Sequence, residues 1–322
     1  MGLRPWSRRH TAMTILAVTY HYVRPISPGC PRLRFLHLDD FRSQLDFLCS
    51  NHRPISRDEF ISIMNGFTPV TDGFILTFDD GLSDHFDFVF PELVSRGLWG
   101  SFYIPVNPFL NLRVLDVHIT HAILGKFGGS IALESLELAL KRFNLKPTNE
   151  FGNTRYKNND DDAATLNVKR ILNYDLEIKD RSLVLDQMCV NLNFSIDISK
   201  WYLSIVQMNE MSQNGMIIGS HSVSHRPMSL LSVDQQEGEI KASFDWLEQS
   251  LDNPCVRSFA YPYGGFDTFT PDTERLLHEA GSLWSFNTEE QMITQLEINT
   301  RPQALSRFDC CNLPFGKSRS YS

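Results

Sequence analysis

Segments typical of β-strands and helices alternate through the first hundred residues, and this alternation constrains the fold most. TILAVTYHYV (14–23) is β-branched and aromatic and predicts a strand, and HLDDFRSQLDFLCSN (37–51) has helical spacing after an aspartate that we expect to cap it. GFILTF (73–78) and SFYIPV (101–106) predict further strands, with a helix starting near Pro91 between them. Such alternation predicts parallel strands joined by right-handed crossovers, and so an α/β fold.

The pattern changes in the middle of the chain. Residues from about 110 to 213 are polar and mostly helical in period, and NTRYKNNDDDAAT (153–165) predicts an exposed loop within them. Strand-like runs then return at MIIGS (216–220), RSFAYPYG (257–264), SLWSFNT (282–288) and ALSRFD (304–309). We therefore expect an α/β barrel-like core that carries a helical insertion of about a hundred residues, longer than ordinary loops.

Size and charge limit the class of protein. The chain has 322 residues, of which 42% are hydrophobic and 21% charged, enough for one large α/β domain. The net charge of −8 leaves no basic surplus to neutralise phosphates, which argues against a dedicated nucleic-acid binder. No apolar run is long enough to span a bilayer.

The amino terminus and the cysteines bear on location. Residues 1–13 predict a disordered leader, and either Met1 or Met13 could be the natural start. The apolar run after Arg9 is short and broken, so it predicts a strand better than a signal peptide. The six cysteines lack metal-ligand spacing, which favours free thiols in a reducing compartment, the cytoplasm.

Polar residues follow several of the predicted strands. In parallel α/β folds the carboxyl ends of the strands meet at one edge, where working residues cluster. Residues at these ends include His21, the pair Asp79-Asp80 in GFILTFDDGLSD, the histidines of GSHSVSH, Tyr263 and Arg307. The Asp-Asp-Gly run alone could equally be a polar turn, because Asp-Gly is a common turn sequence.

The histidine pair indicates a metal site. His221 and His225 are spaced so that both imidazoles can face one ion, although two surface histidines could also arise by chance. Together with one carboxylate from another strand end they make a three-ligand set. Such a set leaves a coordination position open for water, as a catalytic zinc-type site requires.

Three motifs carry a resemblance to a known family. TFDDG (77–81), HSVSH (221–225) and FAYPYG (259–264) resemble, in order and context, the polysaccharide deacetylase family of NodB-type carbohydrate esterases. YHYV (20–23) and LDVHITH (115–121) further resemble the branch associated with surface-polysaccharide biosynthesis. The resemblance implies a NodB-like distorted (β/α) barrel. It would form a single catalytic domain over residues 14–312, with the helical insertion at about 110–213 and a tail at 313–322.

The resemblance also implies a role for each matching residue. Asp80, His221 and His225 would hold a divalent metal, with Zn²⁺ first and other divalent transition metals as alternatives. Asp79 would be the general base that takes a proton from the attacking water. The backbone N–H of Tyr263 would help to hold the oxyanion.

The sequence departs from the family at two positions. Many members have an arginine beside the general base, directly before the Pro-Tyr stretch. Here the nearest is Arg257, so Arg307 is the residue we expect to substitute for it in space. Many members also use a carboxyl-terminal histidine as general acid, but none follows His278, which lies in an ordinary amphipathic helix.

The general acid must then come from elsewhere. His21 is our first candidate because it lies at a strand end, although it could instead be a buried histidine bonded to backbone. His118 and His121, at the mouth of the insertion, are the next candidates and could equally pack against the core. We group them with Arg307 as expected substrate-binding residues. Asp79 could also return its proton as the acid.

The predicted function is a metal-dependent hydrolase that removes an acetyl, or alternatively a formyl, group from an N-acyl amino sugar. The substrate would be an N-acylated sugar, linked to a nucleotide or a lipid if the enzyme is cytoplasmic. The alternatives are an O-acetyl esterase, a cyclic amidohydrolase of the same fold, and an inactive relative that binds glycan. The sequence does not specify the oligomeric state.

Overall fold

A computed structural model describes residues 12–27, 29–148, 161–253 and 256–317. Most of the predicted leader, the end of the tail at 318–322 and most of the predicted loop at 153–165 lie outside these ranges. The strands are β1 Thr14–Tyr20, β2 Val23–Arg24, β3 Leu36–His37, β4 Gly73–Phe78, β5 Ser101–Ile104, β6 Ile217–Ser220, β7 Ser258–Ala260, β8 Trp284–Phe286, β9 Ile293–Thr294 and β10 Phe308–Asp309. The helices are α1 Leu38–Asn51, α2 Arg57–Met64, α3 Phe90–Ser95, α4 Asn107–Asn111, α5 Asp116–Phe127, α6 Gly129–Phe143, α7 Ala163–Arg170, α8 Ile178–Asn191, α9 Ile205–Gln213, α10 Val233–Ser250, α11 Pro271–Glu279 and α12 Gln295–Thr300.

The main sheet is parallel and curls into a ring. Its strand order is β10-β1-β4-β5-β6-β7-β8, and β9 adds to β1 in the antiparallel direction. Leu305 bridges to Phe286 of β8, and Phe308 pairs with Val18 of β1. The segment from Leu305 to Asp309 therefore joins the two sides of the sheet, which confirms the predicted (β/α) barrel.

The central strands are buried along their whole length. Every residue of β1 and β4 is buried, as expected for parallel strands covered on both faces. On one face Tyr20, Phe78 and Phe102 stack across three neighbouring strands, with ring centroids 5.2 and 4.6 Å apart. This packing fixes the carboxyl ends of β1 and β4, where the predicted site residues begin.

Helix starts follow the predictions with one correction. Ser56 caps α2 by accepting from the N–H of Glu59, and Thr270 caps α11 ahead of Pro271. The predicted aspartate cap of α1 is wrong, because His37 accepts from the Asp39 N–H and both neighbouring aspartates fall in the first helical turn. There they still favour the helix through its dipole.

The helices between β5 and β6 have their own core. One apolar cluster runs from Val114 to Tyr202 and is distinct from the barrel clusters. Helix α9, at the end of the predicted insertion, instead packs against the barrel through Met208 and Met211. Among the described residues, no helix has the length and apolar character needed to cross a membrane.

Candidate active site

Asp79 and Asp80 follow β4 directly and have different surroundings. Asp79 continues the strand, and its N–H donates to the Tyr20 carbonyl at 2.9 Å. Asp80 has a φ of +78° and Gly81 a φ of +59°, so the chain turns sharply after the first acid. A positive φ in a non-glycine residue is strained and clusters at functional sites. Both carboxylates are buried, at 2% and 5% exposure, so a simple solvent-exposed turn is excluded.

Arg307 compensates the charge of Asp79. Its Nη1 and Nη2 donate to the two Asp79 oxygens at 2.8 and 2.7 Å, and its other donors reach Thr77 Oγ1 and the Asn287 carbonyl. Burial raises the pKa of Asp79, but the Arg307 guanidinium outweighs this effect and the net pKa is lowered. Asp79 is therefore ionised at neutral pH.

This contact corrects the role expected for Arg307. The arginine does lie beside the predicted base, where the family places an arginine from another segment. It has no exposed surface, however, and its donors are directed at the protein, so the structure does not support direct substrate binding. Its position fits an orienting role for Asp79.

Asp80 lies against two histidine nitrogens. Its Oδ1 is 3.1 Å from His225 Nε2 and 3.6 Å from His221 Nε2. The three residues offer ligand atoms that all lie within 4.8 Å of one another, and all three are buried. The structure thus brings together the three predicted metal ligands.

The chemistry of this set fits a divalent cation. His221 Nδ1 donates to the Ala260 carbonyl at 2.7 Å, so its Nε2 presents a lone pair to Asp80. Burial lowers the pKa of His221 to about 4, which keeps this ring neutral at pH 7. A lone pair facing a buried carboxylate is unfavourable unless a cation lies between them. Within the described residues, Asp80 Oδ1 also lacks a hydrogen-bond donor.

The loop between the two histidines is held from within and from α10. Ser222 Oγ accepts from the His225 N–H at 3.0 Å, and Glu239 Oε2 accepts from the N–H groups of Val223 and Ser224 at 2.8 Å each. His225 itself has a φ of +55°. The local hydrogen bonds therefore stabilise a strained turn that directs both imidazoles to one point.

Tyr263 lies beside the histidines. Its ring centroid is 5.3 Å from that of His225, and its φ is +64°. Within the described residues, the Tyr263 N–H donates to no protein acceptor. A backbone N–H without a protein acceptor, in a residue next to the histidine pair, is available as an oxyanion donor.

The remaining predicted histidines have different environments. A cavity of about 590 Å³ opens beside Asp80 and is lined by His21 and His121, together with Tyr22 and residues of the insertion. His118 is fully buried against Asp80 and does not line this cavity, so direct substrate binding by His118 is not supported. His21 and His121 remain placed to meet a ligand.

Arg257 and His278 lie away from this centre. Arg257 pairs with Glu248 at 2.7 Å and donates to the Ala280 carbonyl, on the outer side of the barrel. His278 is in the last turn of α11. Neither belongs to the residues gathered around Asp79 and Asp80.

Two residues of the site, Asn287 and Tyr202, were not predicted from the sequence. Asn287 follows β8 directly and its carbonyl accepts from Arg307, so the rule of strand ends could have found it. Tyr202 contacts His118 Nδ1 at 2.6 Å, but it lies in the insertion without a motif that would have singled it out.

Part of the sequence matches a known protein family. Residues 197–281, which contain both histidines and Tyr263, match the family model of polysaccharide deacetylase. No curated protein sequence matches the chain.

Solved structures share the fold over almost the whole chain. The Streptococcus pyogenes deacetylase PplD in complex with acetate is 17% identical, with a TM-score of 0.56 and 93% of each chain covered. IcaB from Ammonifex degensii is 16% identical, with a TM-score of 0.55 and coverage of 92% of this chain and 91% of its own. A de-N-acetylase from Aggregatibacter actinomycetemcomitans is 12% identical, with a TM-score of 0.53 and coverage of 91% and 94%.

At these identities the likenesses establish the fold, while the family match rests on the sequence of residues 197–281. Residues 197–281, which contain two of the three motifs, are thus similar to the polysaccharide deacetylase family, in agreement with the resemblance that those motifs predicted.

Proposed function

We propose that the protein is a metal-dependent hydrolase that removes an N-acyl group, acetyl or formyl, from an amino sugar. The observation that carries this proposal is a candidate metal site directly beside a buried, ionised carboxylate. A buried Asp80, His221 and His225 set fits a divalent ion, with Zn²⁺ as our first candidate, and the adjacent Asp79 is kept ionised by Arg307.

The residues divide the work of amide hydrolysis. A divalent ion held by the three ligands would polarise the acyl carbonyl and lower the pKa of a water molecule. Asp79, ionised and oriented by Arg307, accepts the proton of the attacking water. The Tyr263 N–H donates to the oxyanion that develops on the carbonyl oxygen when water attacks the acyl carbon, an interaction worth about 3 kcal/mol for one such donor.

Departure of the amine requires a proton donor. His21 is our candidate, because it lines the cavity next to Asp80 and its side chain is only half buried. Asp79 could serve instead, by returning the proton that it took from water. In the Asp79 route the amine gains the proton that the water loses. In the His21 route the amine gains the proton of His21, and Asp79 then loses a proton to solvent while His21 regains one, so both routes balance over a full turnover.

The substrate class rests on the motifs and on the names of structural relatives. One relative is called a de-N-acetylase and another is bound to acetate, and we extend N-deacetylation to this chain as a proposal. We further propose a place in surface-polysaccharide biosynthesis, with a nucleotide-linked or lipid-linked sugar as substrate. A cytoplasmic location stays a prediction from the sequence.

A substrate screen tests this proposal. Purified protein is given N-acetylated and N-formylated nucleotide sugars, N-acetylhexosamine oligomers and O-acetylated xylan, with and without a chelator. We expect amine release from an N-acyl sugar that the chelator abolishes and added Zn²⁺ restores. Acetate release from xylan alone would indicate the esterase alternative. The absence of both metal uptake and turnover would indicate the glycan-binding alternative.

A further inference from the structure

We infer that His118, supplied by the helical insertion, is a positioning residue that orients the carboxylate of Asp80 toward the two histidine ligands. This inference rests on the proposed function, since it concerns the same metal site. His118 lies on α5, far in sequence from the three ligands, and is fully buried. Its Nε2 is 3.2 Å from Asp80 Oδ2, while the other oxygen of Asp80 faces His225 and His221.

A chain of hydrogen bonds favours the tautomer of His118 that carries the proton on Nε2. The Leu115 N–H can only donate, and it donates to Tyr202 Oη at 3.0 Å. The proton of the Tyr202 hydroxyl is then free to point at His118 Nδ1, 2.6 Å away. With Nδ1 as the acceptor, the proton of the neutral ring is on Nε2 and faces Asp80.

The contact with His118 involves only one oxygen of Asp80, and the other oxygen faces the two histidine ligands. The distance from Nε2 to Oδ2 is that of a hydrogen bond, but the angle at the N–H is not that of a well-formed one. Nε2 has no other partner among the described residues. An N–H cannot ligate a metal, so His118 is not a fourth ligand in this tautomer. Instead it fixes one carboxylate oxygen and leaves Oδ1 for the ion, as outer hydrogen-bond partners of metal ligands do.

The insertion is tied to the Asp80 loop by backbone as well. Ser83 N–H donates to the Trp201 carbonyl and Leu203 N–H donates to the Gly81 carbonyl, both at 2.9 Å. Tyr202 is therefore held between two backbone hydrogen bonds to the residues that directly follow Asp80. Trp201 also covers the His118 ring, with centroids 5.8 Å apart and planes 28° from parallel. His118 and Asp80 thus have a fixed relative position.

The test measures Zn²⁺ affinity by competition with a chromogenic chelator, in wild type and in four variants. His118→Leu removes the donor at similar volume and is expected to weaken Zn²⁺ binding about 10–100-fold. His118→Gln, whose amide nitrogen can replace Nε2, should recover at least half of that loss on a logarithmic scale. Tyr202→Phe, which frees the ring to change tautomer, should weaken binding by a smaller factor of about 3–10.

Thr120→Val is the matched control. Thr120 is buried on the same helix, but its hydroxyl donates to the Asp116 carbonyl and does not contact Asp80. This variant should bind Zn²⁺ within about twofold of wild type. Thermal unfolding of each metal-free variant shows which are folded, and if His118→Leu is not, Tyr202→Phe decides the result.

The outcomes separate this inference from the proposed function. If wild type takes up no divalent metal, the proposed function fails and the inference fails with it. If wild type binds Zn²⁺ but Tyr202→Phe, and His118→Leu where it is folded, bind it equally well, the inference alone is overturned. The inference is supported if His118→Leu binds Zn²⁺ more weakly, His118→Gln recovers binding and Thr120→Val binds Zn²⁺ as wild type does.

Discussion

The strand ends of the barrel and the helical insertion contribute different kinds of groups to the same centre. The strand ends carry Asp79, Asp80 and His221, which can accept protons or hold a metal. The insertion brings His118 and Tyr202, which contact one of these residues and one another. We infer that the barrel provides the proposed metal ligands and the proposed base, and that the insertion orients one of those ligands. Substitutions in the barrel should therefore have the larger effects.

The largest expected effect is at a metal ligand. His221→Ala removes one of three protein ligands, and we expect bound zinc to fall below about a tenth of an equivalent and turnover to be lost with it. Metal content of the purified variant and amine release under the same conditions check this. A variant that retained zinc and activity would contradict the ligand assignment, and the metal-free melting temperature would show whether it is folded.

A smaller effect is expected at Arg307, which contacts Asp79, the proposed base, and none of the three proposed metal ligands. Arg307→Lys keeps the charge but loses the two parallel hydrogen bonds to Asp79, so kcat/KM should fall about tenfold or more at pH 7. Arg307 lowers the pKa of Asp79 against the effect of burial. A weaker contact lets that pKa rise, and the acidic limb of the kcat/KM profile should move to higher pH.

Zinc content provides the control for Arg307→Lys. Arg307 makes no contact with Asp80, His221 or His225 in the structure, so zinc binding should stay near the wild-type level. An unchanged pH profile would contradict the orienting role of Arg307.

The smallest expected effect is at Arg257, the arginine nearest in sequence to the family position. Its ion pair with Glu248 is partly exposed, and such pairs contribute about 0–1 kcal/mol. Arg257→Ala should therefore change neither kcat/KM nor zinc content and should lower the free energy of unfolding by no more than about 1 kcal/mol. A large loss of turnover would show that this arginine, not Arg307, acts on the base.

The sequence predicted the fold and the centre of the site for different reasons. Buried parallel strands read as apolar runs, so β1, β4 and β6 and the residues at their ends could be located. Contacts between residues far apart in the chain leave no comparable pattern in the sequence, so they could not be predicted. The hydrogen bond from Tyr202 to His118 joins residues 84 positions apart, and the cap of α1 depended on a histidine side chain that no propensity favours.

Arg307 was predicted only in part. Its strand end was predicted, but the bidentate contact with Asp79 depends on closure of the barrel by the segment that begins at Leu305. That closure brings together residues 228 positions apart, which local sequence patterns do not encode. Strand patterns could therefore indicate the neighbourhood of Arg307 and not its contact.

The central claim is that the two adjacent acids do separate work, and zinc content in a pair of isosteric variants tests it most directly. Asp79→Asn should bind about one equivalent of Zn²⁺ yet lose turnover by about 10²–10⁴-fold, because a base is removed and the ligand set stays intact. Asp80→Asn should lose the zinc. If Asp79→Asn lost the metal and Asp80→Asn kept it, or if both kept it with near-normal turnover, the assignment of the two acids would be wrong.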